Sequence, residues 1–214
     1  YLQNHDQVAN SGRGARISEL TSPARLRAMT ALLLLGPATP MLFMGQEFAA
    51  STPFLYFADH EPELAEAVRE GRREFLEQFP SLTDAELPTP DDPETFRRCI
   101  LDWAERESHS ESYLMHQELI RLRREDPVLR RAGSRGPEGA VLGAEAFVLR
   151  YLDDEEGDDR LLIVNLGREL HFSPAPQPLL APPRERRWVP IWSSEDPRYG
   201  GSGAPPPENE KGGV

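Results

Sequence analysis

Residues 39–45 read TPMLFMG, a short apolar run that contains a proline and ends in glycine. A run of this length with no polar alternation predicts a strand buried on both faces of a parallel sheet. A helix is predicted before it, because Ser22 and Pro23 form a favourable start and apolar residues recur at helical spacing up to Gly36. Residues 1–10 predict the end of an earlier strand and a loop. The order strand, loop, helix, strand is the α/β alternation of a doubly wound sheet or a barrel.

The middle of the chain predicts two further helices. Charged and apolar residues alternate at helical spacing over 62–79 and again over 112–125. The stretch 80–94 is rich in Pro, Asp and Thr and is predicted to be irregular. The pair Asp126-Pro127 is predicted to end the second helix.

The pattern changes to that of a small antiparallel β domain near residue 133. Short strands are predicted at residues 146–152, 160–166, 170–173 and 188–192. The acidic stretch 153–159 is typical of a hairpin loop between the first two. We therefore predict an α/β part over 1–132 and an antiparallel β domain over 133–214.

Charge and cysteine content limit the class of partner. The net charge of −12 argues against nucleic acid, which requires a basic surface. An acidic surface suits a neutral substrate such as a sugar, although solubility alone also explains it. The single cysteine, Cys99, cannot form an internal disulfide, so a cytoplasmic location is expected. Glycine and prolines interrupt the apolar stretch 28–44, so neither a membrane-spanning helix nor a membrane partner is expected.

The most informative polar cluster is Asn4-His5-Asp6-Gln7. Active sites of parallel α/β barrels lie at the carboxyl ends of the strands. A carboxylate there, beside His and Asn, could bind sugar hydroxyls and stabilise positive charge. Asn and Asp also favour ordinary turns, so the spacing alone leaves both interpretations open.

Two other places could contribute to a site. Glu47 follows the predicted strand, where it could act in catalysis or bind loop amides or a neighbouring arginine. Asp59 and His60 follow an aromatic stretch, which could form a sugar-binding platform or a packed loop. His109 and His116 could share a helix face, but no third ligand is spaced to complete a metal site.

The pieces resemble, in this order, the alpha-amylase family of glycoside hydrolases. Residues 2–6 (LQNHD) are similar to the family's fourth signature region, and residues 40–48 (PMLFMGQEF) to its eighth strand and the following turn. The resemblance implies that residues 1–132 are the C-terminal part of a (β/α)8 TIM barrel, from the end of strand 7 through helix 8. It also implies a small antiparallel β-sandwich domain after the barrel. By the same resemblance, Asp6 stabilises the transition state and His5 binds hydroxyls of the sugar at the cleavage point.

The resemblance is closer to the branch of that family that hydrolyses maltooligosyltrehalose. It rests on five segments, at residues 4–8 (NHDQV), 52–60 (TPFLYFADH), 66–75 (EAVREGRREF), 101–103 (LDW) and 192–199 (WSSEDPRY). The branch releases trehalose by cleaving the adjacent α-1,4 bond with retention and needs no cofactor or metal. The resemblance makes Asn4, Gln7, Asp59 and His60 substrate-binding residues, and maltooligosyltrehalose or a related α-glucan the partner.

The family's nucleophile Asp and general-acid Glu match no residue of this chain and would lie before Tyr1. Retaining hydrolysis needs two carboxyl groups roughly 5 Å apart, so the chain is expected to be an inactive part of a longer enzyme, with a truncated β domain. A glucan branching or debranching enzyme is the alternative within the family. A non-catalytic glucan-binding module is the alternative outside catalysis.

Overall fold

The computed structural model describes residues 1–79, 87–153, 158–172 and 177–204. The described α-helices are α1 (His5–Ala9), α2 (Ile17–Leu20), α3 (Pro23–Leu35), α4 (Pro62–Glu77), α5 (Pro93–Arg97), α6 (Glu105–Ser108), α7 (Ser110–Glu125) and α8 (Pro127–Arg135). The strands are β1 (Glu138–Gly143), β2 (Ala146–Tyr151) and β3 (Arg160–Asn165). Helices with an antiparallel sheet agree with the α/β class at its coarse level.

The chain forms two compact units. The first consists of residues 1–22 and 41–113, and the second of residues 23–40 and 114–214. The first unit buries Val8 of α1, Phe48, Leu55 and Leu76 of α4, each at most 2% exposed. In the second unit, the largest buried apolar side chains come from α3, α7 and the sheet, and include Leu34, Leu119, Val148 and Tyr151.

The three predicted long helices are confirmed. Helix α3 begins at Pro23, a position where the backbone amide would have no partner within the helix, and it ends before Gly36. Helices α4 and α7 occupy the other two predicted stretches. The predicted irregular stretch lies partly outside the described residues, at 80–86, and its end forms the short helix α5.

The prediction of a buried strand at 39–45 is wrong for this structure. These residues form no strand; the backbone turns, with the amide of Gln46 donating to the carbonyl of Phe43 at 2.9 Å. Met41 and Met44 are 45% and 43% exposed. A parallel strand needs a neighbour to complete its hydrogen-bond ladder, and the described residues supply none here. Residues 1–4 likewise form no strand, and helix α1 follows them.

The hairpin predicted in the second part is confirmed. Strands β2 and β3 pair antiparallel, with Ala146 opposite Asn165 and Tyr151 opposite Arg160. Residues 154–157 of its predicted acidic loop lie outside the described residues. The sequence prediction missed β1, which pairs antiparallel with the other side of β2 in the order β1-β2-β3. Its sequence, EGAVLG, has weak strand propensity, so its pairing with β2 decides its conformation.

Two other strand predictions are wrong. Residues 170–172 and 188–192 form no strand, and Ser173 lies outside the described residues. Trp188 instead donates from Nε1 to the carbonyl of Leu180 at 2.7 Å, so a side-chain hydrogen bond holds this segment.

Asp126-Pro127 ends α7 as predicted, and a further helix, α8, begins at that proline. Asp126 caps α8, because its Oδ1 accepts from the amides of Val128 and Leu129 at 3.0 and 2.9 Å.

Candidate functional site

The cluster Asn4-His5-Asp6-Gln7 forms the capped start of helix α1. Asn4 Oδ1 accepts from the amide of Gln7 at 2.9 Å, and Gln7 Oε1 accepts from the amide of Asn4 at 3.1 Å. This reciprocal pair is a capping box, which satisfies two amides that a helix start leaves without partners. The side-chain carbonyl oxygens of Asn4 and Gln7 therefore accept hydrogen bonds from backbone amides. Their NH₂ groups are the parts with chemistry suited to a sugar hydroxyl.

His5 and Asp6 point to solvent from the first turn of this helix. Their side chains are 67% and 70% exposed, and His5 Nε2 lies 3.3 Å from Asp6 Oδ1. Val8 and Ala9, the last two residues of the same helix, are buried and anchor it. The arrangement presents a carboxylate and an imidazole side by side, which can accept and donate hydrogen bonds to a neutral polar ligand.

Two buried polar residues tie the region around α1 together. Gln3 is 4% exposed, and its Oε1 accepts from the amide of Ile17 at 2.9 Å. Arg16 is 1% exposed and donates to the carbonyls of Met44 (2.7 Å) and Thr52. Burial lowers the pKa of Arg16, although nearby acidic groups, Glu105 foremost, oppose this.

Glu47 lies in a 3-10 helix, Gln46–Phe48, that follows a sharp turn at Gly45. The turn requires glycine, because φ is 78° and an added Cβ would lie 2.7 Å from the Cβ of Ala50. The backbone carbonyl of Glu47 accepts from Ser112 Oγ at 3.4 Å. The charge of Glu47 is among those that oppose the lowering of the pKa of Arg16 by burial.

Asp59 and His60 are exposed in the loop before α4. The amide of Ala58, next to them, donates to the carbonyl of Pro90 at 3.0 Å and fixes the loop. No hydrogen bond or ion pair joins Asp59 or His60 to α1 within the described residues. The structure thus brings His5 and Asp6 together and leaves the second predicted pair separate.

Two residues of the aromatic stretch before Asp59 and His60 pack against other phenylalanines, and a third is exposed. Phe54 packs edge to face against Phe43, with ring centroids 5.0 Å apart, and Phe57 packs in the same way against Phe96 at 5.1 Å. Tyr56 is 38% exposed, and the guanidinium of an arginine lies over its ring. The phenylalanines form a packed aromatic row, and Tyr56 is the ring beside the cavity described next.

A cavity of about 370 Å³ adjoins Tyr56 in the first unit. Its walls include Ala9 at the end of α1, Gly12 in the following loop, one side of α4, and residues 87–90. The arginines of α4 supply most of its charged lining, and all three of them are held by hydrogen bonds.

Comparison with known proteins gives the family. Residues 134–210 match a domain of unknown function, DUF3459. The chain is 41% identical over 172 residues to the malto-oligosyltrehalose trehalohydrolase of Deinococcus radiodurans, which covers 78% of this chain and 28% of that protein. Proteins of the same name from Rhizobium sp. (strain M-11) and Arthrobacter ramosus are 45% and 47% identical, over 61% and 60% of this chain and 22% and 23% of theirs.

A solved structure agrees. The 1.4 Å crystal structure of a Salmonella typhimurium protein proposed to be an alpha amylase superposes with a TM-score of 0.64 at 36% identity, over 76% of this chain and 28% of that one. The chain belongs to the alpha-amylase family. It spans between about a fifth and a third of the length of the relatives named above.

The sequence did not predict several residues whose hydrogen bonds hold the region around α1 together. Gln3 and Arg16 gave no signal, because a buried polar side chain is recognised only from its tertiary partners. Arg72 lay within a segment used for the resemblance, but its contacts with α1 were not predicted.

The described part of the chain contains no cluster of three His, Cys, Asp or Glu suited to a metal ion. None of the helices in that part of the chain has the length and apolar character needed to cross a membrane.

Proposed function

We propose that this chain is the C-terminal part of a malto-oligosyltrehalose trehalohydrolase, in which it follows the earlier strands of a (β/α)8 barrel. The longer protein is called here the parent enzyme. The proposal includes the barrel from the end of strand 7 through helix 8 over residues 1–132, and a small β-sandwich domain over 133–214. The observation that carries it is the 41–47% identity to three trehalohydrolases, over 60–78% of this chain.

The proposed reaction is hydrolysis, with retention, of the α-1,4 bond next to the terminal trehalose of maltooligosyltrehalose. The nucleophile and the general acid come from the rest of the parent enzyme. A retaining mechanism passes through an oxocarbenium-like transition state, so a third, ionised carboxylate nearby lowers the barrier as positive charge develops. In this proposal Asp6 is that carboxylate.

The surroundings of Asp6 suit this role. Its side chain is exposed, and His5 is its only ion-pair partner among the described residues, so its charge is available to a ligand. The capping box fixes the backbone from which it projects, and a preorganised charge acts without reorganisation during the reaction. His5 donates to a sugar hydroxyl, and the NH₂ groups of Asn4 and Gln7 add further hydrogen bonds.

Asp59 and His60 are proposed to contact the leaving trehalose. Both are exposed on a loop whose start is fixed by a backbone hydrogen bond to Pro90. They are expected to influence substrate affinity more than turnover.

The test is the substitution Asp6→Asn in the parent enzyme, with free trehalose released from maltooligosyltrehalose as the readout. We expect kcat to fall by about 100- to 1000-fold, as for loss of one preorganised charge-stabilising group, and KM to change much less. Glu66→Gln is the matched control, because Glu66 is an exposed carboxylate on α4 in the same unit. Near-normal turnover in Asp6→Asn would refute the role given to Asp6.

The products separate this activity from its alternatives. Linear or branched glucans without free trehalose would identify a debranching or branching enzyme. The isolated 214-residue chain is expected to release no sugar, and release by that chain alone would contradict the proposed division of the active site.

A further inference from the structure

Arg72 of α4 reaches across to the end of helix α1. Its Nη2 donates to the carbonyl of Ala9 at 2.9 Å, and its Nη1 donates to Asn10 Oδ1 at 3.1 Å. Ala9 is the last residue of α1, and the last carbonyls of a helix have no partner within it. A cation is also favourable at this end of a helix. Arg72 therefore completes at the C-terminus what the capping box does at the N-terminus.

The same guanidinium lies on an aromatic ring of the Asp59 loop. Its central carbon is 4.6 Å from the centroid of Tyr56, three residues before Asp59. A planar guanidinium can stack and donate two hydrogen bonds at once, which a lysine cannot do. One side chain thus links α4, the end of α1 and the loop that carries Asp59 and His60.

The partners of Arg72 distinguish it from the neighbouring arginines of α4. Arg69 pairs with Asp91 at 2.9 Å, and Arg73 pairs with Glu70 and Glu77. The hydrogen bonds that Arg72 makes to the described residues go to neutral oxygens, and its charge faces an aromatic ring. Burial lowers the pKa of Arg72, and Tyr56 opposes this. Partial burial of the Arg72 guanidinium costs desolvation free energy, and no ion pair to a described residue offsets it. We therefore attribute the value of Arg72 to the contacts that it holds in place.

We propose that Arg72 is a positioning residue that fixes the helix bearing His5 and Asp6 in place relative to the Tyr56–His60 loop. The inference rests on the proposed function, because it acts through Asp6. Helix α1 has five residues, so a shift at Ala9 is transmitted directly to Asp6 three residues earlier. Misplacing a reacting group by about 1 Å can cost roughly a hundredfold in rate.

The test compares Arg72→Ala with Arg73→Ala in the parent enzyme. We expect Arg72→Ala to lower kcat for trehalose release roughly 10- to 100-fold, with KM changed less than about threefold. Arg73→Ala removes an exposed arginine of the same helix and should stay within about twofold. Added ethylguanidinium should restore part of kcat in Arg72→Ala and none in Arg73→Ala, a rescue that a general loss of stability would not produce.

A second pair of variants keeps the inference testable if Arg72→Ala does not fold. Tyr56→Leu removes the stacking surface and leaves the hydrogen bonds, and Arg72→Lys keeps the charge but not the fork. Both should lower kcat more than KM. Unchanged kcat in these folded variants, or an equal fall in Arg73→Ala, would overturn the inference.

The wild-type enzyme and Asp6→Asn separate the two proposals. If the wild type releases trehalose and Asp6→Asn does not, normal turnover in the Arg72 variants refutes the positioning role alone. If the wild type releases no trehalose, the proposed function fails and the positioning role fails with it.

Discussion

Substituting Asp126 should destabilise the junction between α7, α8 and β3. Asp126 Oδ1 accepts from two amides at the start of α8, and its Oδ2 accepts from Arg160 Nε of β3 at 2.7 Å. The side chains of Asp126 and Arg160 are 7% and 19% exposed. Burial disfavours the guanidinium charge, but the hydrogen bonds that Arg160 donates to Asp126 and Asp158 outweigh this effect and raise the pKa of Arg160. The pair is thus desolvated and bonded through short contacts.

The expected loss follows from these contacts. Removing the cap costs about 1 kcal/mol. Removing the charged hydrogen bond costs about 2 kcal/mol, because Arg160 keeps its contact with Asp158. Asp126→Ala should therefore lower the free energy of local opening by about 3 kcal/mol, which is roughly a hundredfold faster exchange. Asp126→Asn keeps a capping oxygen and should lose only the charged hydrogen bond, about 2 kcal/mol.

Hydrogen–deuterium exchange of the α8 and β3 amides in the parent enzyme measures this opening directly. Asp158→Asn is the matched control, because Asp158 contacts the same arginine at 3.1 Å but is 59% exposed. It should change exchange by less than about threefold. Equal acceleration in Asp126→Ala and Asp158→Asn would refute the assignment of stability to the buried pair.

Three further predictions concern the capping box, a buried tyrosine and the second predicted pair. Asn4→Ala should destabilise α1 by about 1 kcal/mol and lower trehalose release, whereas Asn4→Ser keeps the cap, loses only the NH₂ group and should lower trehalose release less; equal activity of the two would contradict a role for the cap. Burial raises the pKa of Tyr151 to about 12, so its stabilising effect is complete below about pH 10 and is lost as pH rises through 12. Tyr151→Phe should flatten the fall in melting temperature over that range, and an unchanged slope would show that Tyr151 does not cause it. Asp59→Asn should raise KM for maltooligosyltrehalose about three- to tenfold with little change in kcat, and a fall in kcat alone would argue against a binding role.

The long helices and the central hairpin were predictable because their patterns are local. Apolar spacing, Pro23 and Gly36 define α3, and two short runs of apolar residues define β2 and β3. Strand β1 could not be predicted, because its six residues have weak strand propensity and acquire their conformation by pairing with β2. The strand at 39–45 failed for the opposite reason: its local pattern is strand-like, but no described neighbour completes its ladder.

The candidate site shows the same division. The residue types at positions 4–7 indicated a carbohydrate site once the wider resemblance was considered, and the roles of His5, Asp6, Asn4, Gln7, Asp59 and His60 stay predictions. Their local geometry is a separate matter. The helix start and its capping box follow from the Asn-x-x-Gln spacing, whereas the contact from Arg72 comes from a residue more than sixty positions away.

The sequence by itself determined the three long helices, the hairpin and the family resemblance, because spacing, caps and turns act between residues a few positions apart. The tertiary structure decided how the ends of those segments are satisfied. At the C-terminus of α3, Arg123 of α7 donates to the carbonyls of Leu34 and Gly36, and the hydroxyl of Tyr151 donates to that of Leu35. A helix end needs partners for its last carbonyls, but any donor that folding brings near can supply them, so only the fold selects the donor.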